Sequence, residues 1–172
     1  IRHAGLSECS VTTLQRACKV LPIGAVQSEY SLWSRDPEQG MLAACAQLGV
    51  TFVAYSPLGR GFLAANFSLA TDLPEGDHRR SHPRFQPEAA GANAALVETL
   101  RQIAGSLGAT PAQVAIAWVL ARSARVVTIP GMKTRAHLHD NLQGARLALS
   151  AEHVARIDSL ADKVQGERHP PA

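Results

Sequence analysis

A parallel α/β fold is what the sequence predicts, and three observations predict it. Four short apolar segments rich in β-branched residues recur along the 172 residues, each followed by an amphipathic helical pattern. The strand–helix period, roughly 25 to 40 residues, suits the units of a (β/α) barrel. Polar and glycine residues gather where the strands end, as they do on the functional rim of such barrels. A flavodoxin-like or Rossmann sheet is the alternative, and the absence of G-x-G-x-x-G after the first strand weakens it.

Ile1 to Leu6 reads as the first strand, ending in Gly5-Leu6-Ser7. Ser10 then caps a helix to about Val20, with Val11, Leu14, Ala17 and Cys18 on one face. Gly24 to Ser31 is the second strand. Asp36-Pro37, an N-cap followed by proline, predicts a helix to about Leu48 that stops at Gly49. Val50 to Tyr55 is the third strand, and it empties into Ser56-Pro57-Leu58-Gly59-Arg60-Gly61. From residue 62 to 90 the chain reads as one long irregular loop, punctuated by Asn66, Asp72, Pro74, Gly76, Asp77, Pro83 and Pro87. Helix returns from Gly91 to Leu107, and Thr110-Pro111-Ala112-Gln113 is a capping box opening another to Arg122. Arg125 to Pro130 is the fourth strand. A short helix near Thr134 to Gln143 follows, then one capped by Ser150 and running to Lys163. The domain is expected to span 1–164, with 165–172 as a disordered tail.

Composition is that of an ordinary globular domain, with 46% hydrophobic and 18% charged residues and a formal charge of +3. No basic stripe interleaved with aromatics argues for nucleic acid, and no apolar run is long enough to span a membrane. Cys9, Cys18 and Cys45 have no paired spacing and read as reduced thiols of a cytoplasmic protein. His137 and His139 lie two apart on a helix, so they point to nearly opposite sides and share no metal. Opening on Ile1 directly in strand-like sequence reads as a fragment of a longer chain.

On a barrel reading, Ser7, Gln27, residues 55–61 and residues 131–133 all face one rim. Gln27 has both donor and acceptor for an amide, and the Tyr55 ring suits a flat heterocycle. Backbone N–H groups of Leu58 to Gly61 suit a pyrophosphate, and Lys133 stands before a helix N-terminus that favours the same anion. Each has a purely structural counterpart: a tight turn, a satisfied buried amide, a core aromatic, a solvated lysine. The basic run His78-Arg79-Arg80-Ser81-His82-Pro83-Arg84 could meet an anion from a lid, but a solvated loop is the simpler reading. Only the joint placement at strand ends favours a binding groove.

Four segments, in order, resemble the aldo-keto reductases: Gly5-Leu6-Ser7; Val26-Gln27-Ser28-Glu29-Tyr30-Ser31-Leu32-Trp33-Ser34-Arg35; Val53 through Leu63; and Ile129-Pro130-Gly131-Met132-Lys133 with His137-Leu138 and Asn141. His82-Pro83-Arg84-Phe85-Gln86 is similar to the mobile loop of the family's microbial branch. The resemblance implies a (β/α)8 TIM barrel, of which this chain holds the last four βα units and a C-terminal helix. It implies NADPH as cofactor, with NAD the poorer fit, and reduction of aldehydes or ketones by direct hydride transfer.

By that resemblance Ser7 and Gln27 hold the nicotinamide carboxamide, Tyr55 stacks on the nicotinamide ring, and Ser56, Pro57, Leu58, Gly59, Arg60 and Gly61 wrap the pyrophosphate. Gly131, Lys133 and His137 surround the 2′-phosphate, and Asp140 and Asn141 approach the adenine. Where many relatives carry asparagine this chain has Glu8, so no amide contact is carried over to it. The family's proton-donating tyrosine and its aspartate, lysine and histidine partners belong to the first half of the barrel. No catalytic residue is therefore assigned, and Tyr30 and Tyr55 fit other positions. The expected partners are a small carbonyl substrate and a missing N-terminal half-barrel or a second chain. A non-catalytic NADPH sensor, or a phosphate-binding α/β module unrelated to reduction, are the other readings.

Overall fold

The computed structural model describes residues 1–65, 71 and 73–168; Asn66 and Asp72 of the predicted loop, and residues 169–172, lie outside that set. Its strands are β1 (Ala4–Ser7), β2 (Ile23–Glu29), β3 (Thr51–Tyr55) and β4 (Val126–Ile129). They form one parallel sheet in the order β1-β2-β3-β4. Its helices are α1 (Val11–Cys18), α2 (Met41–Leu48), α3 (Pro87–Leu107), α4 (Pro111–Ala121), α5 (Arg135–Gly144) and α6 (Ala151–Asp158).

Register decides which residues share a face, because paired positions on neighbouring parallel strands point the same way. Leu6, Val26, Phe52 and Val126 form one row, and Val26 and Phe52 are fully buried beneath the helices. Ser7, Gln27, Val53 and Val127 form the opposite row, which is open or half-open, with Val127 46% exposed. Helices cover one face only, as in a sector cut from a barrel.

Local chemistry sets the helix starts. Ser10, Thr134 and Ser150 each accept a hydrogen bond from the N–H three residues on, and Thr110 and Gln113 close a reciprocal capping box. Gly144 lets α5 approach α4 closely, since a Cβ there would lie 2.9 Å from Gln113 Cα.

Three expected boundaries are corrected. Asp36-Pro37 opens only a single 3₁₀ turn, Asp36–Glu38; the chain then passes through Gly40 at φ 115°, so α2 starts at Met41. The irregular stretch ends early, because Pro87 at the first helical position starts α3 a full turn before Gly91. The last helix stops at Asp158 and is followed by a 3₁₀ turn, Ala161–Lys163.

Gln165, Gly166 and Arg168 make hydrogen bonds to the rest of the chain. Gln165 N–H donates to Asn93 Oδ1 (2.9 Å), Asn93 Nδ2 donates back to the Gln165 carbonyl (3.0 Å), and Arg84 Nε donates to the Gly166 carbonyl (3.2 Å).

Under the helices lies the largest buried side chain, Trp118, at the centre of an ion-pair lattice. Its N–H donates to Asp158 (3.1 Å), and the guanidinium groups of Arg35 and Arg122 lie over the ring at 4.9 and 4.8 Å. Both arginines bridge Asp158 and Glu38, at 2.8 to 3.4 Å. Glu38 also accepts the hydroxyl of buried Tyr30 (2.7 Å). Burial and that carboxylate hold the Tyr30 phenol well above its usual range, so it stays protonated as a core group.

Candidate functional site

Strand ends and the loops after them build a cavity of ≈560 Å³ at one rim of the sheet. The loop after β3 contributes Tyr55, Ser56, Pro57, Leu58, Arg60 and Gly61. From beyond β4 come Gly131 and Lys133, and α5 adds His137, Asp140 and Asn141. Eleven of the fourteen residues expected at a site thus line one space; Ser7, Gln27 and Gly59 do not. Ser7 and Gln27 are paired in register on the open sheet face, which Tyr55 also joins, two residues along β3 from Val53, the partner of Gln27.

Backbone geometry concentrates here. Ser56 (φ 50°) and Arg60 (φ 55°) adopt left-handed conformations that L side chains rarely take, each costing roughly 1–3 kcal/mol. Gly59 is required for another reason than phosphate contact: at φ 54° it lies against Trp33, and a Cβ would come within 2.6 Å of the indole. The N–H groups of Gly59 and Gly61 donate to the Ser56 and Leu58 carbonyls, both at 2.9 Å. Two of the four amides from Leu58 to Gly61 therefore hold the turn together.

Several site groups have settled partners. The Asp140 carboxylate accepts from Gln113 Nε2 (2.6 Å) and Thr110 Oγ1 (3.2 Å), so it serves the α4 N-terminus. His137 donates its N–H to Thr134 and leaves its ring exposed. Asn141 is different: it is 7% exposed, and its Nδ2 has no partner among the described residues. A buried amide donor without a partner costs about 1–3 kcal/mol, so it calls for an acceptor. Lys133 is exposed at the cavity edge, with no ion pair among the described residues. A Cβ at Gly131 would meet nothing within 4 Å, so the chain's own packing does not demand glycine there.

Behind the loop stands a charge cluster that sequence reasoning missed. Glu29, at the end of β2, is 1% exposed. It accepts from Ser34 Oγ (2.7 Å), which itself accepts from buried Arg84 (2.7 Å), and it pairs with Arg60 (3.2 Å) and Arg168 (3.4 Å). Burial alone would raise its pKa; the Ser34 hydrogen bond and the two arginines outweigh that and lower it. Arg79 also lines the cavity and donates to the Arg60 carbonyl (3.0 Å). The run 78–84 is thus not simply a solvated loop: His82 and Arg84 are buried and Arg79 faces the cavity. An arginine-rich loop and a carboxylate at the end of an apolar strand were the available signals. Among the described residues no group of three or more His, Cys, Asp or Glu side chains is arranged to hold a metal ion. Likewise, no single helix among them is long and apolar enough to cross a membrane.

Comparison with known proteins agrees with this architecture. A profile of the Aldo/keto reductase family matches residues 1–162. The chain belongs to the aldo/keto reductase family. "Aldo-keto reductase yakc [NADP(+)]" of Schizosaccharomyces pombe is 42% identical over 99% of this chain, and "Aldo-keto reductase str7" of Strobilurus tenacellus is 39% identical over 98%. The chain spans about half the length (52%) of either of these curated relatives. Among solved structures, the thermostable aldo-keto reductase Tm1743, in complex with the inhibitor epalrestat, is 34% identical with a TM-score of 0.70; the match covers 93% of this chain and 48% of that one. The glycerol dehydrogenase AKR11B4 of Gluconobacter oxydans, at 24% identity, supports the fold alone; its TM-score is 0.87, over 100% of this chain and 53% of the other. The four parallel strands and their helices are accordingly a partial TIM barrel of aldo/keto reductase type.

Proposed function

We propose that the chain is the cofactor-holding half of an NADPH-dependent reductase of aldehydes and ketones. The observation that carries this reading is the cavity itself, which gathers an aromatic ring, a left-handed turn, an exposed lysine and a partnerless buried amide along one groove. The bound dinucleotide would supply the hydride. Tyr55 would offer its ring to the nicotinamide, with Ser7 and Gln27 hydrogen-bonding the carboxamide from the open sheet face. The 56–61 turn would follow the pyrophosphate, and Lys133 would neutralise phosphate charge, the Arg79 guanidinium being paired with Asp77. Asn141 Nδ2 would find its missing acceptor on a ring nitrogen of the adenine, and Gly131 would admit ligand close to the backbone. A relative whose printed name carries NADP(+) supports that cofactor over NAD.

Reduction also needs a general acid, and none of this chain's tyrosines is placed for it: Tyr30 is buried against Glu38, and Tyr55 belongs to the cofactor platform. A missing half-barrel, or a second chain, would cover the open sheet face and supply that group together with the carbonyl pocket. A non-catalytic NADPH sensor shares the groove and differs only in lacking such a partner. Calorimetric titration with NADPH and NADH tests the cofactor assignment. Tight NADPH binding with at least about tenfold weaker NADH binding is expected; no binding, or equal binding, overturns it.

A further inference from the structure

One arginine from the far end of the chain reaches the strand tips without entering the cavity. Arg168 Nη2 donates to the Tyr55 hydroxyl (2.9 Å) and to Glu8 Oε1 (2.7 Å), its Nε donates to Glu29 Oε2 (3.4 Å), and Asp36 lies 3.9 Å from Nη1. Glu8 is itself fixed. It sits just after β1 at φ 49°, gives its N–H to the Gln27 carbonyl (2.9 Å) and accepts the Glu29 N–H (2.9 Å). Arg168 therefore ties together the tips of β1, β2 and β3, and it is only partly exposed.

We propose that Arg168 is a positioning residue, a C-terminal latch that sets the Tyr55 ring and the Glu8 carboxylate at the nicotinamide end of the groove. The proposal rests on the reading of that groove as a dinucleotide site. Tyr55 lines the cavity and Arg168 does not, so the guanidinium holds the hydroxyl from behind. A hydrogen bond to a phenol lies near the ring plane and leaves the ring's flat face available for stacking. Nη2 alone bridges the hydroxyl and the Glu8 carboxylate while Nε reaches Glu29, and the rigid fork that spans both sides at once is what a single lysine nitrogen lacks. Burial alone would raise the Glu8 pKa, but the hydrogen bonds from Arg168 and from the Glu29 amide lower it, so the latch stays ionised near neutral pH. Glu8 thereby becomes a fixed acceptor one residue beyond the Ser7–Gln27 pair, suited to one N–H of a carboxamide.

The test separates the two ends of the ligand in the full chain. NADPH spans the groove, whereas adenosine 2′,5′-bisphosphate lacks the nicotinamide. Arg168→Ala is expected to weaken NADPH about tenfold and to leave adenosine 2′,5′-bisphosphate within about twofold. Arg168→Lys, which keeps the charge but not the fork, falls between. On a Tyr55→Phe background the Arg168→Ala loss shrinks to less than half, because the shared hydroxyl is already gone. Equal weakening of both ligands marks a general structural role and overturns the proposal, as does unchanged NADPH affinity in Arg168→Ala. If Arg168→Ala fails to fold, Arg168→Lys and Tyr55→Phe carry the same comparison, and unchanged NADPH affinity in both overturns the latch. If the unaltered chain binds neither ligand, the parent reading fails first, and the latch falls with it.

Discussion

Two arginine–carboxylate networks organise this molecule, and they differ in what they surround. In the first, Arg35, Arg122, Glu38 and Asp158 close around Trp118 and join the Asp36–Glu38 turn to α4 and α6. The second, Glu8, Glu29, Arg60, Arg84 and Arg168, lies behind left-handed backbone at Glu8 and Arg60 and borders a cavity. Side chains of the first lattice satisfy one another around a ring, with unstrained helices at its edges. Both networks border open volume, a cleft of ≈450 Å³ at Arg35, Glu38 and Asp158 and the ≈560 Å³ cavity at Arg60, but only the second holds left-handed backbone in place. The contrast teaches that similar ion pairs serve different ends: one clamps a scaffold, the other fixes left-handed turns at the edge of the strand-end cavity.

Breaking the first network should cost the most stability. Trp118→Ala removes a fully buried ring and both of its cation contacts, and about 4 kcal/mol of unfolding free energy should go with it. Denaturant melts measure the loss, and NADPH affinity per folded molecule should be unchanged. A parallel fall in affinity would erase the distinction between the networks.

Glu29→Ala should cost roughly 3 kcal/mol, because it strands Arg60 and Ser34 around a buried hole, while Arg168 keeps Glu8. Unlike Trp118→Ala, it should also weaken NADPH several-fold, since Arg60 loses the partner that holds the 56–61 turn. Retained NADPH affinity in the folded fraction would remove Glu29 from the binding edge.

Acid should loosen the second network before the first, beginning at His82, whose Nδ1 accepts the Arg84 N–H (3.3 Å). Burial, with Arg60 and Arg84 nearby, lowers the pKa of His82 from 6.5 to about 4. The unfolded chain therefore takes up this proton first as pH falls. The stabilising effect of a neutral His82 is complete above about pH 6.5 and drains away towards pH 4, up to roughly 2–3 kcal/mol. Below about pH 4.5 the lowered pKa of Glu29 adds a second loss in the same direction. Melting curves across this range check it, and His82→Gln should flatten the limb between pH 6.5 and 4.5. A limb unchanged in His82→Gln would assign the acid sensitivity elsewhere.

How much of this was legible in the sequence follows the distance between partners. The caps at Ser10, Thr110 and Ser150 involve residues three apart, and all of them form. Strand order was readable because each βα unit repeats the same apolar period, and the cavity collects the strand-end loops for the same reason. Asp36-Pro37 misled because it is a genuine turn signal whose continuation depends on Gly40. Arg168, Arg84 and Glu29 could not be placed from the sequence. Their partners lie tens of residues away and meet only once the sheet has formed.

The smallest expected effect is also the cleanest. Lys133→Ala should change stability by less than about 0.5 kcal/mol, since the side chain is exposed with no ion pair among the described residues. NADPH affinity should fall about tenfold while NADH affinity stays nearly constant. Equal losses for both would detach Lys133 from the 2′-phosphate.

A crystal structure of the chain with NADP⁺ tests the central claim most directly. One extended dinucleotide is expected, with nicotinamide against Tyr55, pyrophosphate along residues 56–61, 2′-phosphate at Lys133 and adenine at Asn141. Density for the ligand anywhere else, or in the groove with those ends reversed, would contradict it.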